Sequence, residues 1–198
     1  GPPKRVARAR KWCGAGPAAA IGSTSTALHR TADVADWFAQ PSWRRAAPAP
    51  ALAFDGPVLI FTDRSPMAKA LRERLRAASL DVFTARRGTR YAQIGPDTFT
   101  LTPGDTDDAA RLLATLRDAG RLPKRIVFAW PLEDTSLESG LFSLLALVQA
   151  LGAEEVNVDL LVLTAGAVRV SGETNLEPRL GTLVGAVPVI PAELPGVR

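Results

Sequence analysis

The chain has 198 residues, 46% of them hydrophobic and 22% charged, close to the soluble globular average and long enough to bury a core of its own. Its single Cys (Cys13) and single His (His29) exclude a disulfide framework, a zinc site built from those residues, and most Cys–His or Ser–His catalytic pairs. No apolar run approaches the ~20 residues of a transmembrane helix and no secretory h-region is present, so no membrane partner is expected and a reducing cytoplasm fits the cysteine usage.

The net charge of +4 is unevenly placed. Residues 1–45 carry eight Lys/Arg against Asp33 and Asp36, whereas the remainder carries 16 basic and 18 acidic residues. The basic stretch Lys4-Arg5-Val6-Ala7-Arg8-Ala9-Arg10-Lys11 has only Trp12 beside it and lacks the stacking aromatics of a nucleic-acid face; it reads as a solvated linker or docking arm. Gly1-Pro2 has the form of a protease-cleavage scar, the mark of an excised piece. Residues 14–27 are Gly, Ala, Pro, Ser and Thr with a single Ile, a linker composition. The expected division is therefore an arm over 1–31 and a folded domain over 32–198. Trp37, Phe38 and Trp43 gather around Pro41, which suggests an edge strand with its rings packed on a core.

From Gly56 onward strands and helices alternate. Residues 57–62 form a short, wholly apolar run of the buried parallel-strand kind. Met67, Ala70, Leu71, Arg74, Leu75 and Ala78 follow at helical spacing behind Pro66, predicting a helix over 66–78. A strand is expected over 80–85, then two short alternating runs, 90–94 and 98–101, around Gly95-Pro96-Asp97, a hairpin signal. Asp105 starts a second helix that presents Ala109, Leu112, Leu113 and Leu116 on one face and ends at Gly120. A strand over 125–130, a helix over 137–151, a strand over 159–164 and a helix over 176–187 complete the pattern. The expected fold is α/β: a truncated Rossmann-like parallel sheet with helices on both faces and a small hairpin insertion.

The chemistry such a sheet commonly supports is missing from its usual places. A dinucleotide site needs glycines in the first strand–helix turn so that the backbone can approach a pyrophosphate, and Thr62-Asp63-Arg64-Ser65-Pro66-Met67 contains none. No Gly-Lys-Ser/Thr phosphate loop occurs. The only tyrosine, Tyr91, is followed four residues on by Gly95, so a Tyr–Lys proton-donor pair is absent. Glu133, Asp134 and Glu138 flank the loop after the third long strand and read as helix-start charges favoured by the macrodipole. Gly166 and Gly172-Glu173 read as loop punctuation, and Ser171 has no His to activate it.

Several strings are more specific. Asp36-Trp37-Phe38, Pro41-Ser42-Trp43-Arg44-Arg45, Val58-Leu59-Ile60-Phe61-Thr62-Asp63 and Arg87-Gly88-Thr89-Arg90-Tyr91 resemble the opening of the ketoreductase region in modular type I polyketide synthases. Arg125-Ile126-Val127-Phe128-Ala129-Trp130-Pro131-Leu132, Gly140-Leu141-Phe142-Ser143-Leu144-Leu145 and the closing Leu163-Thr164, Gly166-Ala167 and Gly185 with Val189-Ile190-Pro191, Glu193 and Pro195 are similar to the segments that follow there. The resemblance runs in consecutive order over about residues 32–198, and the segment before Cys13 weakly resembles a post-acyltransferase linker.

That resemblance implies the first of two Rossmann-like halves: a structural subdomain with no catalytic, cofactor-binding or metal residues of its own. NADPH would then sit in a separate catalytic half, which reduces β-ketoacyl groups carried on the phosphopantetheine of an acyl carrier protein. The implied partners are that catalytic half and neighbouring synthase domains, with the carrier protein met indirectly. Trp37, Phe38, Trp43, Val189, Ile190, Glu193 and Leu194 are the interface candidates. The alternatives are an orphan pseudo-ketoreductase half beside a methyltransferase or dehydratase domain, and a free-standing Rossmann-like nucleotide-binding enzyme.

Overall fold

The structure is a computed structural model and describes residues 33–34, 43–44, 46–47, 55–62, 65–154, 156–170 and 172–198. The chain divides into two compact units, Gly1–Pro50 and Ala51–Arg198, whereas composition placed the division at 31 and 32. In the first unit the described residues are exposed, Trp43 at 60%; this corrects the expectation that the Trp43 ring packs on a core. Trp37, Phe38 and the rest of the expected edge strand lie outside the described residues.

The second unit is built on β1 (Val58–Phe61), β2 (Val82–Arg87), β3 (Ala92–Gly95), β4 (Thr98–Leu101), β5 (Arg125–Phe128) and β6 (Asp159–Val162), in the order β3-β4-β2-β1-β5-β6. β1 pairs in parallel with both β2 and β5, Val58 lying opposite Val82 and Arg125. β4 pairs parallel to β2 and antiparallel to β3. The hairpin extends the main sheet, β4 taking the parallel position beside β2 and β3 adding an antiparallel edge strand.

Side-chain alternation gives β1 two buried faces. Val58 and Ile60 join Val82, Val127 and Ala129 beneath Leu71 and Leu75 of α1 (Pro66–Ala77). Leu59 and Phe61 join Phe83, Phe99, Ile126 and Phe128 beneath α2 (Thr106–Asp118) and α3 (Ser143–Ala153). Cover is unequal: by alternation Leu161 of β6 points to the α1 face, and it remains 43% exposed. Asp105 caps α2 by accepting the Asp108 N–H at 3.0 Å, the role a short carboxylate plays best.

Two local features depart from the expected pattern. The expected helix over 137–151 begins as one wide π turn, Glu138–Phe142, before α3 proper. The tail, which carries the interface candidates Val189, Ile190, Glu193 and Leu194, is only partly exposed. α4 (Gly181–Ala186) and α5 (Ile190–Glu193) fold it back, Ile190 and Val197 are buried, and residues 196–198 run beside β6, the Leu160 N–H donating to the Arg198 carbonyl at 2.7 Å. Gly196 permits this approach, since a Cβ there would overlap the Val156 carbonyl oxygen. Among the described residues no helix is long and apolar enough to cross a membrane.

Among the described residues the largest fully buried side chain is Trp130, just beyond β5. Its ring meets Phe61 edge-on at 5.1 Å and Phe128 at 5.9 Å, and its Nε1–H donates to the Ala85 carbonyl at 3.2 Å. Trp130→Ala should therefore cost ~3–5 kcal/mol in equilibrium denaturation, through the cavity left in the core. Trp43→Ala should change stability by less than ~0.5 kcal/mol, as exposed positions do.

Candidate functional site

Growth of the sheet reverses direction between β1 and β5, and in open α/β sheets ligands bind outside the carboxyl ends of the strands at such a switch point. The residues gathered there are Thr62 and Ser65 after β1, Arg87 at the end of β2, and Glu133, Asp134, Ser136 and Ser139 after β5.

Glu133 bridges the switch point. Its Oε1 accepts the Thr62 hydroxyl at 2.6 Å and the Ser65 backbone N–H at 3.0 Å. Ser65 precedes α1, makes no side-chain cap bond, and α1 has no acidic residue in its first turn. The negative charge favoured at that helix end comes instead from 68 residues further along the chain.

Asp134 faces the neighbouring strand. Arg87 Nη1 donates to Asp134 Oδ2 at 2.6 Å and to Ser139 Oγ at 3.3 Å, while Ser139 Oγ donates to the same carboxylate oxygen at 2.7 Å. The Ser136 backbone N–H donates to Oδ1 at 2.9 Å. Burial raises the Asp134 carboxyl, but the Ser136 amide, the Ser139 and Ser136 hydroxyls and the Arg87 charge together outweigh it and hold the group below its usual 3.8.

Glu133 and Asp134 are thus not the helix-start charges that position suggests. Each carboxylate is bonded to the end of another strand, Glu133 to Thr62 after β1 and Asp134 to Arg87 of β2, while Asp134 also accepts from Ser136 and Ser139 before α3. Thr62, Arg87, Ser136 and Ser139 were given no role by sequence reasoning. The available signal was two consecutive acids just past one strand end, with a hydroxyl and an arginine closing the adjacent strands.

The cavity lined by Phe61, Leu101, Trp130 and Ser143 measures about 10 Å³, room for about one water. Larger depressions lie between Leu151 and Val197, about 250 Å³, and past the carboxyl end of β6 between Val162, Thr164 and Pro188, about 230 Å³. Tyr91 stacks on Phe99 and shares a 2.7 Å hydrogen bond with Thr115, on the flank of the sheet. Among the described residues no group of three His, Cys, Asp or Glu could hold a metal. Cys13, His29 and Ser171 lie outside those residues. Of the interface candidates, Val189 is 51% exposed and Glu193 is exposed, but Ile190 is buried and Leu194 is half-buried against the domain's own core.

Residues 56–169 match the family model described as beta-ketoacyl synthase-like, N-terminal. The chain belongs to this family. No curated protein matches it. Among solved structures it is similar to the adenylation, ketoreductase and pseudo-Asub multidomain structure of a keto acid-selecting NRPS module, at 23% identity and TM-score 0.66, covering 77% of this chain and 14% of that one. It is similar as well to an N-terminal ketoreductase from the macrolactin assembly line, at 19% identity and TM-score 0.60, covering 73% of this chain and 31% of that one. A short-chain dehydrogenase/reductase of Serratia marcescens shares 12% identity at TM-score 0.51, covering 72% and 73%. At these identities the likeness is one of fold: the Rossmann-like α/β architecture, in agreement with the resemblance read from the sequence. The chain spans well under a third of the first structure and about a third of the second.

The low Asp134 pKa has a definite sign in folding. A carboxyl depressed in the folded state contributes stability in full above its unfolded value near 3.8 and loses it as pH falls through the lower folded value. Asp134→Asn should be less stable than the parent by on the order of 1 kcal/mol at neutral pH, a value that allows for partial exposure. That deficit should shrink below pH 3.8, as followed by denaturation across pH.

Proposed function

We propose that this chain is the non-catalytic structural half of a ketoreductase in a modular type I polyketide synthase. It would brace a separate catalytic half that binds NADPH and reduces β-ketoacyl groups on acyl carrier protein. The observation that supports the proposal is at the switch point of a Rossmann-like sheet, where Glu133 bonds the Thr62 hydroxyl and the Ser65 N–H that precedes α1. The family's description names a synthase, yet acyl transfer through a thioester requires a thiol nucleophile and a base. Residues 56–169 contain neither Cys nor His.

Bracing requires a surface for the partner. With Ile190 and Leu194 turned inward, the apolar side chains left on that side are Val184 and Val189, 45% and 51% exposed, beside the depression lined by Val162, Leu183, Val187 and Pro188. Exposed apolar groups grouped around a groove favour a protein contact.

In calorimetric titration the isolated chain should show no saturable affinity for NADPH; micromolar binding would overturn the proposal. Mixed with a separately produced catalytic half, it should form a complex that reduces a β-ketothioester with NADPH, while neither half alone does so efficiently. Val184→Asp should weaken that complex at least tenfold and leave the thermal midpoint of the isolated chain nearly unchanged. Absence of any complex would favour a scaffold that braces some other synthase domain.

A further inference from the structure

In dinucleotide-binding α/β folds two kinds of protein group read phosphate. The N-terminus of the helix after the first strand takes the pyrophosphate, and an arginine near the end of the second strand takes a 2′-phosphate. Both groups exist in this chain at the corresponding places. The N-terminus of α1 follows β1, and Arg87 ends β2. Both are engaged by consecutive carboxylates of one loop. Glu133 accepts from Thr62 and Ser65, and Asp134 accepts from Arg87.

We propose that Glu133 and Asp134 are internal stand-ins for phosphate, a plug that satisfies the anion-seeking groups of the switch point and shuts the crevice to nucleotides. The missing glycines explain poor backbone approach; the plug adds an occupant. Glu133 lies closest to the place of the pyrophosphate, since it meets the Ser65 N–H at 3.0 Å and a hydroxyl on the β1 side at 2.6 Å. Asp134 meets the arginine in a 2.6 Å ion pair, with Ser139 and Ser136 supplying further donors to the same carboxylate. The loop from 130 to 134 is held from behind by buried Trp130 and Pro131 and by the Glu133 N–H donating to the Trp130 carbonyl at 2.9 Å. The two carboxylates are therefore presented by a rigid turn, as a bound ligand would be.

The inference rests on the reading that this crevice takes no nucleotide, and its test is separate from the NADPH titration of the parent chain. Inorganic pyrophosphate is the probe, with sodium chloride of matched ionic strength as control. The Glu133→Ala/Asp134→Ala variant should lose several degrees of thermal midpoint and regain at least half of the loss in millimolar pyrophosphate, while the parent does not respond. A variant that responds to pyrophosphate no more than to chloride overturns the plug, though it leaves the structural role standing. Should the double variant fail to fold, Glu133→Ala alone keeps the Arg87–Asp134 pair. In that variant, pyrophosphate should shift the Ser65 amide resonance in a saturable manner, and in the parent it should not. An unmoved Ser65 resonance in Glu133→Ala overturns the proposal equally.

Discussion

β1 has no solvent face, and the unit built around it follows from that constraint. Its four residues, Val58 to Phe61, are each at most 2% exposed. A buried strand leaves no backbone group for water, so both edges must be paired; β2 and β5 provide that pairing in a common register. Its side chains alternate, so both faces need cover as well, which requires α1 on one side and α2 with α3 on the other. The ladder extends past the strand ends, the Thr62 N–H reaching the Ala85 carbonyl and the Ala129 N–H the Phe61 carbonyl, each at 2.9 Å. It is this extension that delivers Thr62 and the 130–134 turn to the same place.

The same extension decides what the carboxyl edge can do. In an open α/β sheet that edge is where loops build sites, because strand ends aim backbone groups and helix N-termini at a common point. Here the convergent groups are satisfied by side chains of the chain itself. Fold alone carries no activity; the chemistry of the edge does, and at this edge it is internal hydrogen bonding between Glu133, Thr62 and Ser65 and between Asp134, Arg87 and Ser139. Among the exposed apolar groups are Val184 and Val189, on α4 and before α5, and Leu161 on the thinly covered α1 face.

How far the fold and the site could be read from residues alone depended on the range of the interaction. Short apolar runs marked every central strand, and Pro66, Asp105 and Gly120 punctuated the helices, because strand burial and helix capping are written in neighbouring residues. The hairpin was legible as a hairpin from Gly95-Pro96-Asp97, but its place in the main sheet was not: pairing of β4 with β2 joins residues whose local pattern is equally consistent with a detached insertion. The tail misled for a similar reason. Ile190 and Leu194 read in order suggest an interface, and only the structure shows Ile190 buried and Leu194 half-buried against the domain's own core.

The sequence alone determined the α/β class, the order of elements and the lack of glycines in the first turn, since each depends on residues within one or two turns of one another. The tertiary structure alone decided that Glu133 meets Ser65, that Asp134 meets Arg87, and that Trp130 seals the strand ends from beneath. Those pairs are separated by 68, 47 and, for Trp130 and Ala85, 45 positions. A carboxylate next to a helix start has the same local appearance whether it serves that helix or another. Its partner is chosen by the parallel crossover that returns β5 to the side of β1, and no local pattern encodes that return.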